Sequence, residues 1–366
     1  MHRYLLRITG VAFLVSLLHG GTVVAESLAP TKPSDVNMDA AKLNVAVEKL
    51  QQDGFRDIDS LLVVRKGALV LEYYKDPHYY GPEYRHAWRS VSKSVAAMVV
   101  GMVMEQGRIR GVDAPVRDLI SEFVGGEVDD PRKDELTLEQ VLTMTTGFKW
   151  TEFAVPYGHP QNDYNKMQQS PDWIAFVFEK PLIDQPGNRF EYNSGNTLML
   201  SAVVQQATGQ TVEDFARENL FEPLGIEDWS WNLARAGITN TPTGLGMRRI
   251  DMARIGQLML QRGRWGKHQI LSPQTADELT LERVRGQGLY TGYAYGYQWW
   301  RFTDDNPLIS GLVHNDVYFA YGYEGQVLLV VPHLDLVVVS TAALYGDAWI
   351  RQFELFRDYI YSAVTD

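Results

Sequence analysis

The chain has 366 residues, 45% hydrophobic and 22% charged, enough for one large domain or two lobes sharing a core. Its formal charge of −11 at pH 7 argues against nucleic acid or an anionic membrane surface as a partner. With no cysteine, the chain has no disulfide, no thiolate metal site and no lipid-modified N-terminal cysteine.

The first segment stands apart. "MHRYLLR" is basic, "ITGVAFLVSLL" is apolar, and small residues follow in "HGGTVVAES". This pattern predicts a signal peptide cleaved after Ala25, and so a periplasmic or secreted protein. The apolar run is short for a bilayer span, although an uncleaved anchor is the competing reading. Loss of residues 1–25 removes Arg3 and Arg7 and takes the mature charge to −13. "SLAPTKPSD" then reads as a linker ending near residue 37.

From residue 38 onward, Ala40, Leu43, Val47 and Leu50 recur at helical spacing, and Gly54 is a stop. "LLVV", "RKG" and "ALVLEYY" predict a hairpin. A helix follows in "RSVSKSVAAMVVGMVMEQG", ending at Gly107. The middle of the chain is mostly helical. Thr137 with Gln140 and Thr211 with Asp214 predict caps, and Ser170-Pro171 and Ser272-Pro273 predict helix starts. "QVLLVV", "HLD" and "LVVVSTA" form a second hairpin. A last helix carries Trp349, Phe353, Phe356 and Ile360 on one face. Because two-stranded hairpins are marginal alone, the terminal strands are expected to pair in one antiparallel sheet covered by helices. The fold class is therefore α+β. Residues 38–115 and 290–366 form an α/β lobe, and 116–289 form a mainly helical one.

Chemistry concentrates at the second of these helices. "VAAMVVGMVM" is apolar on every face, so the helix is central, yet Lys93 sits in its first turn. A lysine there either snorkels to solvent or has its pKa lowered by burial. Ser90, three residues earlier, shares its face. A serine in the field of the helix N-terminus beside such a lysine is the arrangement of a Ser-x-x-Lys nucleophile; the competing reading is a capping serine with a snorkelled lysine. His86 is a weaker candidate base, since a Ser–His pair leaves Lys93 unexplained. No HExxH, Gly-x-Ser-x-Gly, Walker or complete dinucleotide sequence occurs, and no metal or cofactor is expected.

Taken together, "SLLVVRKGALVLEYY", "SVSKSVAAMVVGMVMEQGRI", "LTLEQVLTMTTGF", "PGNRFEYNSGNTLMLSAVVQQATG", "LFEPLGI" and "GYEGQVLLVVPHLDLVVVST" resemble the serine β-lactamase and penicillin-recognising hydrolase superfamily. The likeness is to its class C-related branch, which holds esterases and 6-aminohexanoate-dimer hydrolases. The resemblance implies a β-lactamase/transpeptidase-like fold. It implies catalysis by Ser90 and Lys93, with Tyr192 of "EYNSGN" as proton shuttle and Ser194 in the same motif. It places Tyr323-Glu324-Gly325 where β-lactamases carry Lys-Thr-Gly, with the Gln326 and Ser90 N–H groups as oxyanion hole. Met144 stands where many relatives have histidine and is read as structural. Asp163 and Tyr164 are candidate substrate contacts, with a loop held by its own side chains as the alternative. "YGYQWW" is read as core and pocket wall.

Because the third-motif lysine is missing, the expected substrate is a neutral or cationic ester or small amide, cleaved through an acyl-enzyme, with pairing of Glu324 to a nearby arginine, which leaves a neutral site, as the alternative. A β-lactamase or D-Ala-D-Ala carboxypeptidase is the runner-up. A non-catalytic relative binding peptidoglycan or a partner protein is the reading from another class. Which of Lys93 and Tyr192 takes the serine proton stays open at this level.

Overall fold

The computed structural model describes residues 28–366, apart from 53, 54, 56, 126–128, 313 and 345–349. The signal segment, the Gly54 stop and Trp349 lie outside the described residues.

An antiparallel sheet organises the chain. Its strands are β1 (Ile58–Arg65), β2 (Ala68–Tyr74), β3 (Val284–Arg285), β4 (Tyr293–Tyr295), β5 (Trp300–Phe302), β6 (Tyr318–Gly322), β7 (Gln326–Val331) and β8 (Leu336–Ala342). Across the sheet they run β2-β1-β8-β7-β6-β5-β4-β3. The two predicted hairpins are present and meet where β1 pairs with β8, Leu62 opposite Val339. Lys66 and Gly67, both with positive φ, make the tight β1–β2 turn.

Every residue of β1 and β8 is buried. Alternation still sorts their side chains. Leu61 and Val63 join the cluster under helix α1 (Ala40–Leu50) and the C-terminal helix, which contributes Phe353, Phe356 and Ile360. Leu62 and Val64 join the larger cluster built on helix α2 (Val91–Glu105). An antiparallel sheet covered on both faces therefore reads as continuous apolar runs instead of an alternating pattern.

Helices α3 (Leu138–Leu142), α4 (Asp163–Gln169) and α5 (Ser194–Thr208) belong to the helical part. Thr137 and Gln140 form the expected capping box, and Ser272 caps its helix. Ser170 instead ends α4, and Asp172 caps the following helix by accepting from Ala175 N. Helix α6 (Arg249–Leu260) lies on the sheet. A Cβ on its Gly256 would stand 2.6 Å from side-chain carbons of Leu328 and Val337, so only glycine lets the helix approach so closely.

The span 116–289, expected to form the helical lobe, also contains elements of the sheet layer. Helix α6 and strand β3 fall within 116–289 yet complete the sheet layer. The linker reading of 26–37 also changes over its described part. Leu28 is buried, and Thr31 N and Ala29 O bond to Leu69 of β2. Edge strand β2 has unpaired backbone groups on its outer side, and this segment satisfies two of them.

Candidate active site

Helix α2 brings Ser90 and Lys93 together because three residues make nearly one turn. Ser90 is its N-cap and Lys93 lies one turn in. Lys93 is 1% exposed; its Nζ is 3.0 Å from Ser90 Oγ and 2.9 Å from Pro242 O. It does not snorkel. Burial pushes its pKa down to about 7, and the nearby Glu152 charge opposes part of that fall. A protonated amine donates to Ser90 Oγ across this contact, and a neutral amine accepts the Ser90 proton.

The turn before Ser90 is held by a small sheet in which His86–Ala87 pairs with Gly246–Met247. Trp88 N donates to Leu245 O, and Trp88 Nε1 to Met247 O. Arg89 has φ +51°, a left-handed conformation that strains a residue with a side chain. Ser92 Oγ donates to Arg89 O and accepts from Leu245 N, so the strained turn is bonded on both sides.

Tyr192 stands before α5, whose N-cap Asn193 accepts from Gly195 N and Asn196 N. The phenol and Ser90 line the same cavity and their side chains interact, and Lys93 Nζ lies 5.1 Å from the ring centroid. Hydroxyl, amine and phenol therefore converge. Burial raises the Tyr192 pKa well above the ordinary phenol value, so the group is neutral at neutral pH. Phe153 stacks on the ring at 4.7 Å and Trp300 at 5.8 Å.

Two groups here were not singled out from the sequence. One is the carbonyl of Pro242. Its loop is pinned by Thr241 Oγ1 to Thr197 O and by the Thr243–Tyr164 hydroxyl pair. The other is Glu152, 1% exposed. Its Oε2 accepts from Trp150 Nε1 at 2.7 Å and Ser194 N at 2.9 Å. Its Oε1 accepts from Tyr157 OH at 2.8 Å and Ser194 Oγ at 2.7 Å. An acid set in the apolar stretch "GFKWTEFAVP" was the signal that could have pointed to Glu152.

Several expected substrate contacts change role. Ser194 is buried and spends its hydroxyl on Glu152, so it supports the α5 terminus instead of meeting substrate. Tyr164 is buried and bonds Thr243, which places it behind the Pro242 loop. Asp163 accepts from Thr151 N, Lys166 and Lys180 in a separate surface cleft. The alternative reading, side chains holding their own loop, describes Asp163, which bonds Thr151 N and Lys166, whereas Tyr164 reaches the Pro242 loop. His86 does not serve Ser90. Its Nε2 meets Gln326 Oε1 at 2.6 Å and its Nδ1 meets Arg249 Nη2 at 3.2 Å; burial and the Arg249 charge push its pKa down to about 4.

The oxyanion assignment also shifts. Gln326 opens β7, which lies between β6 and β8. Strand N–H groups point in the sheet plane at neighbouring strands, so Gln326 N–H faces a strand, not Ser90. The open edge belongs to β6. Strand β5 pairs with Tyr318 and Phe319 only, beyond which Ala320–Gly322 run past its end. The hairpin bond from Gly325 N to Gly322 O turns Gly322 toward β7. Alternation then turns the peptide groups on either side of Gly322, those of Tyr321 and Tyr323, outward, to the side of the ended β5. A Cβ on Gly322 would lie 2.5 Å from Trp88 O, which shows how tightly this edge meets the Ser90 turn. Gly325 itself faces Gln352, whose Oε1 a Cβ would approach to 2.7 Å. The close approach expected at Gly325 therefore occurs at Gly322.

In front of Ser90 lies a cavity of about 430 Å³, within the range of small-molecule sites. Its wall is largely aromatic, with Phe153, Tyr157, Tyr192, Tyr290, Trp300 and Tyr323 among the lining residues. "YGYQWW" divides as expected, with Tyr295, Tyr297 and Trp299 in the core and Trp300 in the wall. Glu324 is the one charged residue of the lining among the described residues, and it is ion-paired with Arg89 at 3.2 Å. Met144 is buried with Tyr192 and Phe190.

Comparison with known proteins bears on what such a site does. Residues 46–348 match the β-lactamase family. The 6-aminohexanoate-dimer hydrolase of Paenarthrobacter ureafaciens is 25% identical over 303 residues, covering 78% of this chain and 72% of that protein. Among solved structures, a penicillin-binding protein homologue from Caulobacter crescentus superposes with a TM-score of 0.69 at 16% identity, covering 88% of this chain and 97% of that one. EstCE1, a hydrolase with promiscuous acyltransferase activity, gives the same TM-score and identity over 88% of this chain and 98% of that chain. The match over most of the length, on an antiparallel sheet flanked by helices with serine, lysine and tyrosine converging at its edge, establishes that the chain is a hydrolase of the β-lactamase family.

Proposed function

We propose that the protein hydrolyses uncharged esters, and small amides more slowly, through an acyl-enzyme on Ser90. The observation that carries this reading is the triangle of Ser90, Lys93 and Tyr192 at the floor of an aromatic cavity. Neutral Lys93 accepts the Ser90 proton as Oγ attacks the carbonyl carbon. Its pKa near 7 supports that role at neutral pH. The oxyanion is held by the Ser90 N–H and by the outward-facing backbone N–H at the end of β6 beside Gly322; such a donor is worth about 3 kcal/mol in the transition state. Neutral Tyr192 passes its proton to the leaving oxygen or nitrogen and recovers one from Lys93. The C–O or C–N bond breaks, leaving acyl-Ser90. Water then attacks, giving its proton to the same groups, and Ser90 leaves with the acid released.

The lining supports uncharged substrates. Aromatic faces suit apolar acyl or alkyl groups, and no cation lines the cavity among the described residues to hold a β-lactam or peptide carboxylate. A fluorophosphonate probe tests the core of the reading. Labelling of the wild type, lost in Ser90→Ala, is expected; absence of labelling would favour a non-catalytic binding protein. p-Nitrophenyl acetate set beside nitrocefin tests the substrate class, and fast nitrocefin turnover would overturn it. Export is proposed on residues 1–25 alone, and the N-terminal sequence of the native protein tests it.

A further inference from the structure

Glu324 and Arg89 form an ion pair of unusual placement. Glu324 lies in the β6–β7 turn with φ +68°, where glycine or asparagine is the ordinary occupant. Arg89, immediately before the nucleophile, has φ +51°. Two residues in strained backbone conformations thus meet beside the cavity, their charged groups 3.2 Å apart. Their charges are not equally presented. Glu324 belongs to the cavity lining and its side chain is 20% exposed, whereas the Arg89 side chain is 47% exposed and does not line the cavity. The pair is a dipole with its negative end inward and its positive end in solvent, where water and salt screen it more strongly.

We propose that this pair is a charge filter: Glu324, held inward by Arg89, excludes carboxylate-bearing substrates from the Ser90 cavity. The filter determines specificity and takes no part in bond making. A substrate anion seated inside the cavity lies against the carboxylate of the lining and not against the guanidinium, and like charges at close range are costly to bring together. Removing the carboxylate reverses the sign, because the freed guanidinium becomes the anchor an anionic group needs. In its kinetic form the inference rests on the hydrolase reading, since it concerns the substrate class of that site.

The experiment compares kcat/KM for p-nitrophenyl hemisuccinate and p-nitrophenyl butyrate at low ionic strength. In Glu324→Gln the anionic-to-neutral ratio is expected to rise about tenfold or more. In Arg89→Gln, which leaves the carboxylate uncompensated, the ratio is expected to fall. At about 1 M salt, where the screening length is about 3 Å, both changes should shrink. A folding defect lowers both substrates together and leaves the ratio alone, so opposite movements cannot arise from damage. A calorimetric titration of the Ser90→Ala protein, with and without Glu324→Gln, by 4-nitrobenzoate and 4-nitrobenzamide reads the same filter as affinity. That measurement stands even if ester hydrolysis is not observed. A ratio unchanged within about twofold in both variants, or benzoate bound as well as benzamide before the substitution, would overturn the proposal.

Discussion

Glu152 offers a sharp test because its two oxygens face different kinds of donor. Oε2 receives Trp150 Nε1 and Ser194 N, which can only donate. Oε1 receives the hydroxyls of Tyr157 and Ser194, which can rotate and accept instead. Glu152→Gln therefore has one good placement, with its amide oxygen toward the two N–H groups and its NH2 toward the two hydroxyls. No donor is orphaned, and the loss is the extra strength of charge-assisted bonds, about 1–2 kcal/mol. Glu152→Ala leaves both N–H donors buried and unpaired, at about 1–3 kcal/mol each, so about 3–6 kcal/mol with the lost packing. Urea unfolding of the three proteins at one pH reads these differences. The charge loss also bears on Lys93, whose pKa Glu152 holds up. In Glu152→Gln the acid limb of the kcat/KM profile should therefore move to lower pH. Equal destabilisation by Gln and Ala, or an acid limb that stays put or moves upward, would refute the reasoning.

Other expectations follow from the same geometry. In the wild type, kcat/KM for a neutral ester should rise with pH and level off above about 7, as Lys93 loses its proton; a profile flat from pH 5 to 9 would count against Lys93 as base. Lys93→Met should lower the rate by about 10²–10⁴ yet stabilise the fold. A lysine whose pKa falls from 10.5 to about 7 on folding opposes folding fully below about pH 7 and not at all above about 10.5, by about 4–5 kcal/mol at 1.36 kcal/mol per pKa unit. Wild-type stability from this group should rise across that window, and urea midpoints at pH 7 and 10 should show the rise abolished in Lys93→Met. Tyr192→Phe keeps the stacking on Phe153 and Trp300. It should unfold within about 1.5 kcal/mol of wild type while losing about 10²–10⁴ in rate, most severely with poor leaving groups. Ser194→Ala should chiefly cost stability, about 1–2 kcal/mol; a larger effect on KM than on the urea midpoint would restore Ser194 as a substrate contact.

Local pattern carried a large share of this architecture. Helix α2 is apolar on every side, so its burial, and the tension of a lysine in its first turn, could be read without coordinates. A separation of three residues fixes Ser90 beside Lys93 on any α-helix. The two hairpins follow from apolar runs broken by turn residues, and Thr137–Gln140 from a cap whose partners are neighbours in sequence. What stayed out of reach joins residues far apart in the chain. Pro242 O meets Lys93 across 149 positions, and Glu152 gathers Ser194 across 42. Neither contact leaves a periodicity or a spacing. Ser194, Asp163 and Tyr164 were matched to a motif or a loop, but their side-chain directions depend on which neighbours offer donors. The oxyanion edge turned on where β5 stops beside β6, a property of strand lengths in the assembled sheet. The Arg89–Glu324 pair required both the ion pair across 235 positions and the direction each charge faces. Sequence determined the chemistry available to this chain, because that depends on residue type and short-range spacing. Tertiary structure decided which groups face the cavity, because burial and hydrogen-bond direction are settled only when distant segments meet.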